Sequence, residues 1–437
     1  MSYPIDFSPP EKVVATVKSN DRITLANLCS EPRIFPKLLM DRANELRNVR
    51  LFHLRPCGDF AQRYLIPGME KHVKCSTAFT GGVKSIIELI KTGRADFYPI
   101  PLSKAPWLIK QVFRPDIFVA TVSPPDNQGN CSLGISVDYG RSAYEAAKTV
   151  IAEVNPNMPR TNGEAIIHAD QIDYFIQSQE SIYELPQPKI TSLEKRLGEN
   201  VSGLVQDGAT IQIGYGAISE SITPFLAEKC DLGLHSEMFP ESALTLVDQG
   251  VLTGARKNLN HGKAVCAFAA GTSKLYEWLR DYDEIELKPF DYTNDPRIIG
   301  ANSKMTAINT ALQVDLYGNI YSDMLGVDQY SGAGGQPDFV TGSQLSPDGL
   351  SIIVLPSTAA EGKVSRIVAH PRISSNPQSP TLPTVSRFHA DYVVTEHGTA
   401  SLRDKTARER ASAILELAHP DFVGDLLKDG RTLKLFN

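Results

Sequence analysis

Glu237 stands in the segment Leu232-Gly233-Leu234-His235-Ser236-Glu237-Met238-Phe239-Pro240, between two glycine-rich stretches. Upstream lies Gln212-Ile213-Gly214-Tyr215-Gly216-Ala217-Ile218, and downstream Ser331-Gly332-Ala333-Gly334-Gly335-Gln336-Pro337-Asp338-Phe339. A carboxylate can attack an acyl group, and backbone N–H groups of a glycine loop can hold the oxyanion that forms. This combination suggests covalent acyl chemistry.

Each part also has a plainer reading. Thr210–Ile213 reads as a strand and a helix starts near Ser219, so Gly214, Tyr215, Gly216, Ala217 and Ile218 form a strand–turn–helix corner suited to an anion. A tight turn needing positive φ explains the same glycines equally well. A third glycine of the dinucleotide fingerprint would fall at Ser219, and no Gly-Lys-Ser/Thr follows, so neither nucleotide motif is met. Glu237 ends the apolar run Leu232–Leu234, and a helix is predicted from about Pro240. That puts the carboxylate at the C-terminal edge of a sheet, near a helix N-terminus that keeps it ionised. An N-capping or solvated glutamate is the plain alternative. Gly332, Gly334 and Gly335, with no charged side chain before Asp338, can approach a ligand backbone-first or form a surface hairpin. Asn309, on or beside a strand, needs a polar partner, either a ligand or backbone. Glu396, in Glu396-His397-Gly398 after the strand Tyr392–Thr395, competes with Glu237 as the nucleophile. The nine histidines show no metal-binding spacing, and calcium loops and the G-x-S-x-G elbow are absent, so no metal is expected.

The elements that must position these residues alternate along the chain. Ile117–Val122, Ala209–Ile213, Ser351–Leu355 and Tyr392–Thr395 read as strands. Pro36–Val49, Val83–Thr92, Ser219–Lys229 and Glu241–Gln249 read as helices, the last stopped by Gly250. Such alternation predicts an α/β fold with mainly parallel sheets. Asp126-Asn127-Gln128-Gly129-Asn130 is echoed by Asp315-Leu316-Tyr317-Gly318-Asn319, and Asp173-Tyr174-Phe175-Ile176 by Asp391-Tyr392-Val393-Val394, in the same order. The echoes predict two similar α/β halves from an internal duplication. Two prolines in Tyr183–Ile190 mark the linker, giving domains 1–186 and 190–437, the second opening with a helix over Thr191–Val201. Pro371–Pro383 reads as a surface loop.

At 437 residues the chain is long for one core, and 42% hydrophobic with 22% charged residues is a globular composition. A net charge of −6 argues against nucleic acid as a partner. Six dispersed cysteines without a CxxC pair are expected to be reduced thiols of a cytoplasmic protein. Met1–Lys12 has no apolar run, so no signal peptide is expected, and no stretch approaches the ~20 residues of a membrane span.

The chain resembles the acetyl-CoA hydrolase/transferase family, whose members include 4-hydroxybutyrate and butyrate CoA-transferases. The likeness runs through Cys29-Ser30-Glu31-Pro32, Gln212–Ile218, His235–Phe239, Lys304–Asp315, Ser331–Phe339, Thr395–Arg403 and Ala418-His419-Pro420-Asp421-Phe422. Val154–Asn162 and Leu287–Pro296 look most like the 4-hydroxybutyrate and butyrate branch. By resemblance Glu237 is the nucleophile that carries CoA as a glutamyl thioester. Gly214–Ile218 then binds coenzyme A, and Ser331–Gln336 lines the same site. CoA is implied as substrate and covalent intermediate, with no permanently bound cofactor, short-chain carboxylates as acceptors and a homodimer as the assembly. An acyl-CoA hydrolase on the same scaffold is the alternative. In one place the chain departs from the branch: Leu28-Cys29-Ser30 precede Glu31-Pro32 where a histidine is often found.

Overall fold

The structure, a computed structural model, describes residues 3–214, 216–280, 282–370 and 381–437. It forms two compact units, Met1–Pro186 with Val265–Thr293, and Gln187–Ala264 with Asn294–Asn437. The first crossing falls in the proline-interrupted Tyr183–Ile190. Val265–Thr293, placed in the second domain by chain order, belongs to the first unit instead. Its backbone explains why: Val137 N–H donates to Ala267 O at 3.0 Å and Leu185 N–H to Gly271 O at 2.9 Å. Its strand Ile285–Leu287 pairs in parallel with Asn162–Gly163. Local composition does not reveal such long-range pairing.

The first unit is built on seven strands: β1 (Arg22–Leu25), β2 (Val49–Phe52), β3 (Val73–Thr77), β4 (Asp96–Phe97), β5 (Ile117–Val122), β6 (Thr149–Val154) and β7 (Tyr174–Gln177). They lie in the order β7-β6-β5-β1-β2-β3-β4, every pair parallel. All six residues of β5 are buried, as a parallel strand covered on both faces requires. One side packs on Phe35 and Leu39 of helix α1 (Phe35–Asp41) and on Ile86 and Leu89 of α2 (Lys84–Lys91). The helix predicted over Pro36–Val49 therefore stops at Asp41. A 3-10 turn, Ala43–Glu45, follows, Asn48 adopts φ 57°, and Val49 opens β2.

The main sheet of the second unit is built on six strands: β8 (Thr210–Ile213), β9 (Gly233–Leu234), β10 (Met305–Thr310), β11 (Leu350–Val354), β12 (Tyr392–Thr395) and β13 (Gly398–Ser401). Their order is β9-β8-β10-β11-β12-β13, with only the last pair antiparallel. The mainly parallel α/β class expected from the alternation is the one found. Helix α3 (Ser192–Ser202) starts on a capping box between Thr191 and Glu194. Helix α4 (Ala217–Ile222) gives way to a 3-10 turn at Thr223–Leu226, where Pro224 has no N–H to continue the ladder. Helix α5 (Ala243–Asp248) ends before Gly250, whose φ is 69°.

The repeated turns are alike atom for atom. Asp126 Oδ1 accepts the N–H groups of Gln128 and Asn130, each at 2.9 Å, and its Oδ2 accepts Asn130 Nδ2 at 3.1 Å. Asp315 does the same with Tyr317 (3.0 Å), Asn319 (2.9 Å) and Asn319 Nδ2 (2.8 Å). Gly129 and Gly318 sit at φ 85° and 90°, a region that favours glycine. The second echo is also structural. Asp173 accepts Val150 N–H at 2.8 Å and Asp391 accepts Ser351 N–H at 3.1 Å, each pinning a strand start to its neighbour. Most of the predicted loop Pro371–Pro383, namely 371–380, lies outside the described residues.

Glu153, at the end of β6, is fully buried and accepts the N–H groups of Arg33 (2.9 Å), Ile34 (3.0 Å) and Phe35 (2.7 Å). It thereby fastens the start of α1 to the sheet. Burial pushes its carboxyl up to about 7, the backbone donors offsetting only part of that rise. A native pKa above the unfolded one means stability present below about 4.5 and lost as pH rises through about 7. Wild type should therefore lose up to about 1.4 kcal/mol per pH unit between pH 5 and 7 relative to Glu153→Gln. Urea unfolding across that range measures the difference, and parallel pH curves for the two proteins would refute it.

Candidate active site

The C-terminal edge of the second unit's sheet gathers the residues singled out above. Gly214 follows β8, Glu237 lies three residues beyond β9, Asn309 is in β10, and Glu396 follows β12. Ligands bind at this edge in open α/β sheets.

The backbone leading to Glu237 is held from several directions. His235 N–H donates to Ile211 O at 3.1 Å, and Ser236 Oγ to Ile213 O at 3.1 Å. Lys257, only 4% exposed, donates its ammonium to Leu234 O at 2.9 Å and Lys263 O at 2.8 Å. Its alkyl stem runs over Gly233, where a Cβ would overlap Lys257 Cγ. The helix predicted from Pro240 does not begin there, because Met238–Pro240 is extended and α5 starts at Ala243.

A different helix N-terminus meets the carboxylate. Helix α6 (Gln336–Leu345) has Gly335 as its N-cap, and a Cβ on Gly335 would overlap Glu237 Oε2 and Asn294 Nδ2. The second glycine loop is thus in direct contact with the carboxylate. Asn294, fully buried, donates Nδ2 to Glu237 Oε2 at 3.0 Å. The N-terminus of this ten-residue helix is a place where backbone N–H groups point outward. Phe339 of α6 packs on Ile299, Met305 and Ala307, so the helix that presents Gly335 is anchored to β10.

The loop before Gly335 is tied down at its entry. Tyr330 and Ser331 N–H groups donate to Asp323 O at 2.8 and 2.9 Å, and Gln329 Nε2 to Ser331 O at 2.7 Å. Gly332 and Gly334 are buried, and Gly334 has φ 62°. In the first loop Gly216 carries the constraint. Its φ of 114° with ψ 176° is open to glycine alone among ordinary residues, and space in front of its Cα is clear. A Cβ on Gly214 would make only ordinary contacts, 3.4 Å from Ser219 Oγ. Ala217 and Ile218 form the first turn of α4, while Tyr215 lies outside the described residues.

Asn309 finds a partner of neither expected kind. Its Nδ2 donates to Gln212 Oε1 at 3.0 Å, a buried amide pair between β8 and β10 just below the first loop. Glu396 is engaged as well. One oxygen accepts Ser357 N–H at 2.8 Å and the other Ser357 Oγ at 2.6 Å, with His397 Nε2 at 3.6 Å. It braces the chain leaving β11. Asn294 was not singled out from sequence. It lies in Leu287–Pro296, part of the family likeness, but no spacing ties it to Glu237.

A carboxylate set against a glycine loop at the edge of a parallel sheet is an arrangement compatible with acyl chemistry. The chain belongs to the acetyl-CoA hydrolase/transferase family: the family's N-terminal domain matches residues 1–185 and its C-terminal domain residues 271–429. It is 40% identical to the 4-hydroxybutyrate coenzyme A transferase of Clostridium kluyveri, over 96% of each chain. It is 38% identical to the succinyl-CoA:cyclohexane-1-carboxylate CoA transferase of Geobacter metallireducens, over 97% of this chain and 94% of that one. The crystal structure of 4-hydroxybutyrate CoA-transferase from Porphyromonas gingivalis superposes with a TM-score of 0.81 at 33% identity, covering 97% of this chain and 96% of that one.

Gly335→Ala tests the contact. The added methyl has no room between Glu237 and Asn294, so acyl-CoA turnover should fall at least about 10²-fold. The thermal midpoint should drop by only a few degrees, a shift that corresponds to about 1 kcal/mol. Wild-type turnover in this variant would show that the carboxylate has space to move aside.

Proposed function

We propose that the protein is a CoA-transferase that moves CoA between a short-chain acyl-CoA and a free carboxylate by way of Glu237. The observation that carries this reading is the seating of Glu237, held by Asn294 Nδ2 and pressed against Gly335 at the head of α6. Glu396, the rival carboxylate, has both oxygens bonded to Ser357, which favours a bracing role.

In the first step a Glu237 oxygen attacks the thioester carbonyl, the C–S bond breaks, and CoA thiolate leaves a mixed anhydride behind. The thiolate then attacks the glutamyl carbonyl and expels the acyl group as its carboxylate, giving a glutamyl-CoA thioester. A second carboxylate, such as acetate, runs the sequence in reverse. Thioester energy is conserved throughout, so no metal or redox cofactor is required. Each tetrahedral state carries an oxyanion, and one donor to it is worth roughly 3–4 kcal/mol. The N–H groups of the loops Gly214–Ile218 and Gly332–Gly335 are our candidates for that role and for holding coenzyme A.

The two relatives act, by their names, on different acids: 4-hydroxybutyrate in one and cyclohexane-1-carboxylate with succinyl-CoA in the other. Neither glycine loop contains Lys or Arg. That supports short monoanionic acids, 4-hydroxybutyrate, butyrate and acetate, as substrates here. The reading places the enzyme in the cytoplasm. Among the described residues no helix is long and apolar enough to cross a membrane.

Borohydride treatment after incubation with butyryl-CoA should reduce one glutamyl thioester to an alcohol, which peptide mapping should place at Glu237. A label on Glu396 would overturn the assignment. Glu237→Ala should abolish transfer, and Glu237→Asp should cost at least about 10²-fold because the attacking oxygen is drawn back by more than ~1 Å.

Protection of the thioester from water is a separate test. Butyryl-CoA hydrolysis should run at least about two orders of magnitude slower than transfer to acetate, equivalent to roughly 2.7 kcal/mol of barrier. Comparable rates would make the enzyme a hydrolase.

A further inference from the structure

Arg366 follows the short strand Val364–Ser365 in the chain that leaves the C-terminal end of β11. Its side chain is half-buried, yet among the described residues its guanidinium makes one hydrogen bond, from Nη1 to Ala311 O at 3.3 Å. The Nε–H is buried and meets no acceptor among the described residues. Glu396 and Tyr330 lie within electrostatic reach, but both Glu396 oxygens are taken up by Ser357, and Arg366 forms no ion pair among the described residues. Burial accordingly pulls the guanidinium below its ordinary value.

A guanidinium offers five N–H donors in a planar fork matched to carboxylate and phosphate oxygens. Leaving the buried Nε–H unmatched costs free energy unless a ligand supplies the acceptor.

The position of Arg366 connects it to the site. Gly335 touches the Glu237 carboxylate, and the next residue, Gln336, donates Nε2 to Thr310 O at 2.9 Å. The following carbonyl, Ala311 O, is the one that receives Arg366 Nη1. Glu237, Gly335, Gln336, the end of β10 and Arg366 therefore form one contiguous run along the sheet edge. The two glycine loops contribute no cation of their own to that edge.

We propose that Arg366 is an oxyanion-binding residue of this edge, pairing with a substrate carboxylate or with a phosphate of coenzyme A. This rests on the CoA-transferase reading given above. The neutral backbone donors of the glycine loops bind reacting oxygens, while Arg366 supplies a cationic partner in place of the hydration that a substrate anion loses on leaving water.

The test uses the full-length enzyme with Arg366→Gln and Arg366→Lys, assayed with butyryl-CoA, with butyryl-pantetheine (which lacks every phosphate), and with acetate as acceptor. Arg366→Gln should raise one KM about ten- to hundredfold while the thermal midpoint stays near that of wild type. Arg366→Lys should recover part of the loss, because it restores charge without the fork. A rise for butyryl-CoA that vanishes with butyryl-pantetheine assigns the phosphate. A rise confined to acetate assigns the carboxylate.

Calorimetric titration with CoA gives a readout independent of turnover. Unchanged KM for both substrates in a folded Arg366→Gln, with CoA binding also unchanged, would overturn the proposal and leave Arg366 as a brace for Ala311. Absence of transfer in wild type would instead defeat the transferase reading.

Discussion

One close approach organises the second unit: the Cα of Gly335 against the carboxylate of Glu237. A Cβ there would occupy the place of Glu237 Oε2 and Asn294 Nδ2, so any larger residue must displace them. The approach sets where α6 must begin, since Gly335 is its N-cap, and hence where Phe339 meets β10. It also requires the loop from Ser331 to be guided in by its bonds to Asp323. From the other side, Lys257 and the sheet edge fix the chain that delivers Glu237. A carboxylate seated this way has little conformational freedom left to lose.

Electrostatics at this edge divide labour between two carboxylates of the same unit. Glu237 faces the start of α6 and accepts Asn294 Nδ2. Glu396 has each oxygen committed to Ser357, so its charge is spent on fixing the turn after β11. Both follow parallel strands and both stand beside glycine-containing segments. Their partners, Asn294 and Gly335 for the one and Ser357 for the other, rather than position along the sheet, distinguish them.

Much of this was legible from residue order. The strands Ile117–Val122 and Tyr392–Thr395 occur with the bounds read from their β-branched runs, and the helix read over Thr191–Val201 occurs as Ser192–Ser202. The D-x-x-G-N echo was legible because Asp, Gly and Asn each have a local job within five residues. What escaped notice depends on distant partners. Asn294 meets Glu237 across 57 positions, Asn309 meets Gln212 across 97, and Gly335 touches Glu237 only because α6 lies where it does. The helix expected from Pro240 failed for the same reason, since a favourable first-turn residue cannot outweigh an extended segment fixed by its surroundings.

Val265–Thr293 has a consequence for the order of synthesis. As the chain emerges from the ribosome, everything up to Pro186 is made well before the segment that completes its unit. Until residue 293 is out, Asn162–Gly163 lacks its partner Ile285–Leu287, and Val137 and Leu185 lack the carbonyls of Ala267 and Gly271. The nascent first unit must therefore wait, partly open, while Gln187–Ala264 is threaded out ahead of its missing piece. The positions of Ala267, Leu275 and Phe290, all buried in the finished unit, are filled last.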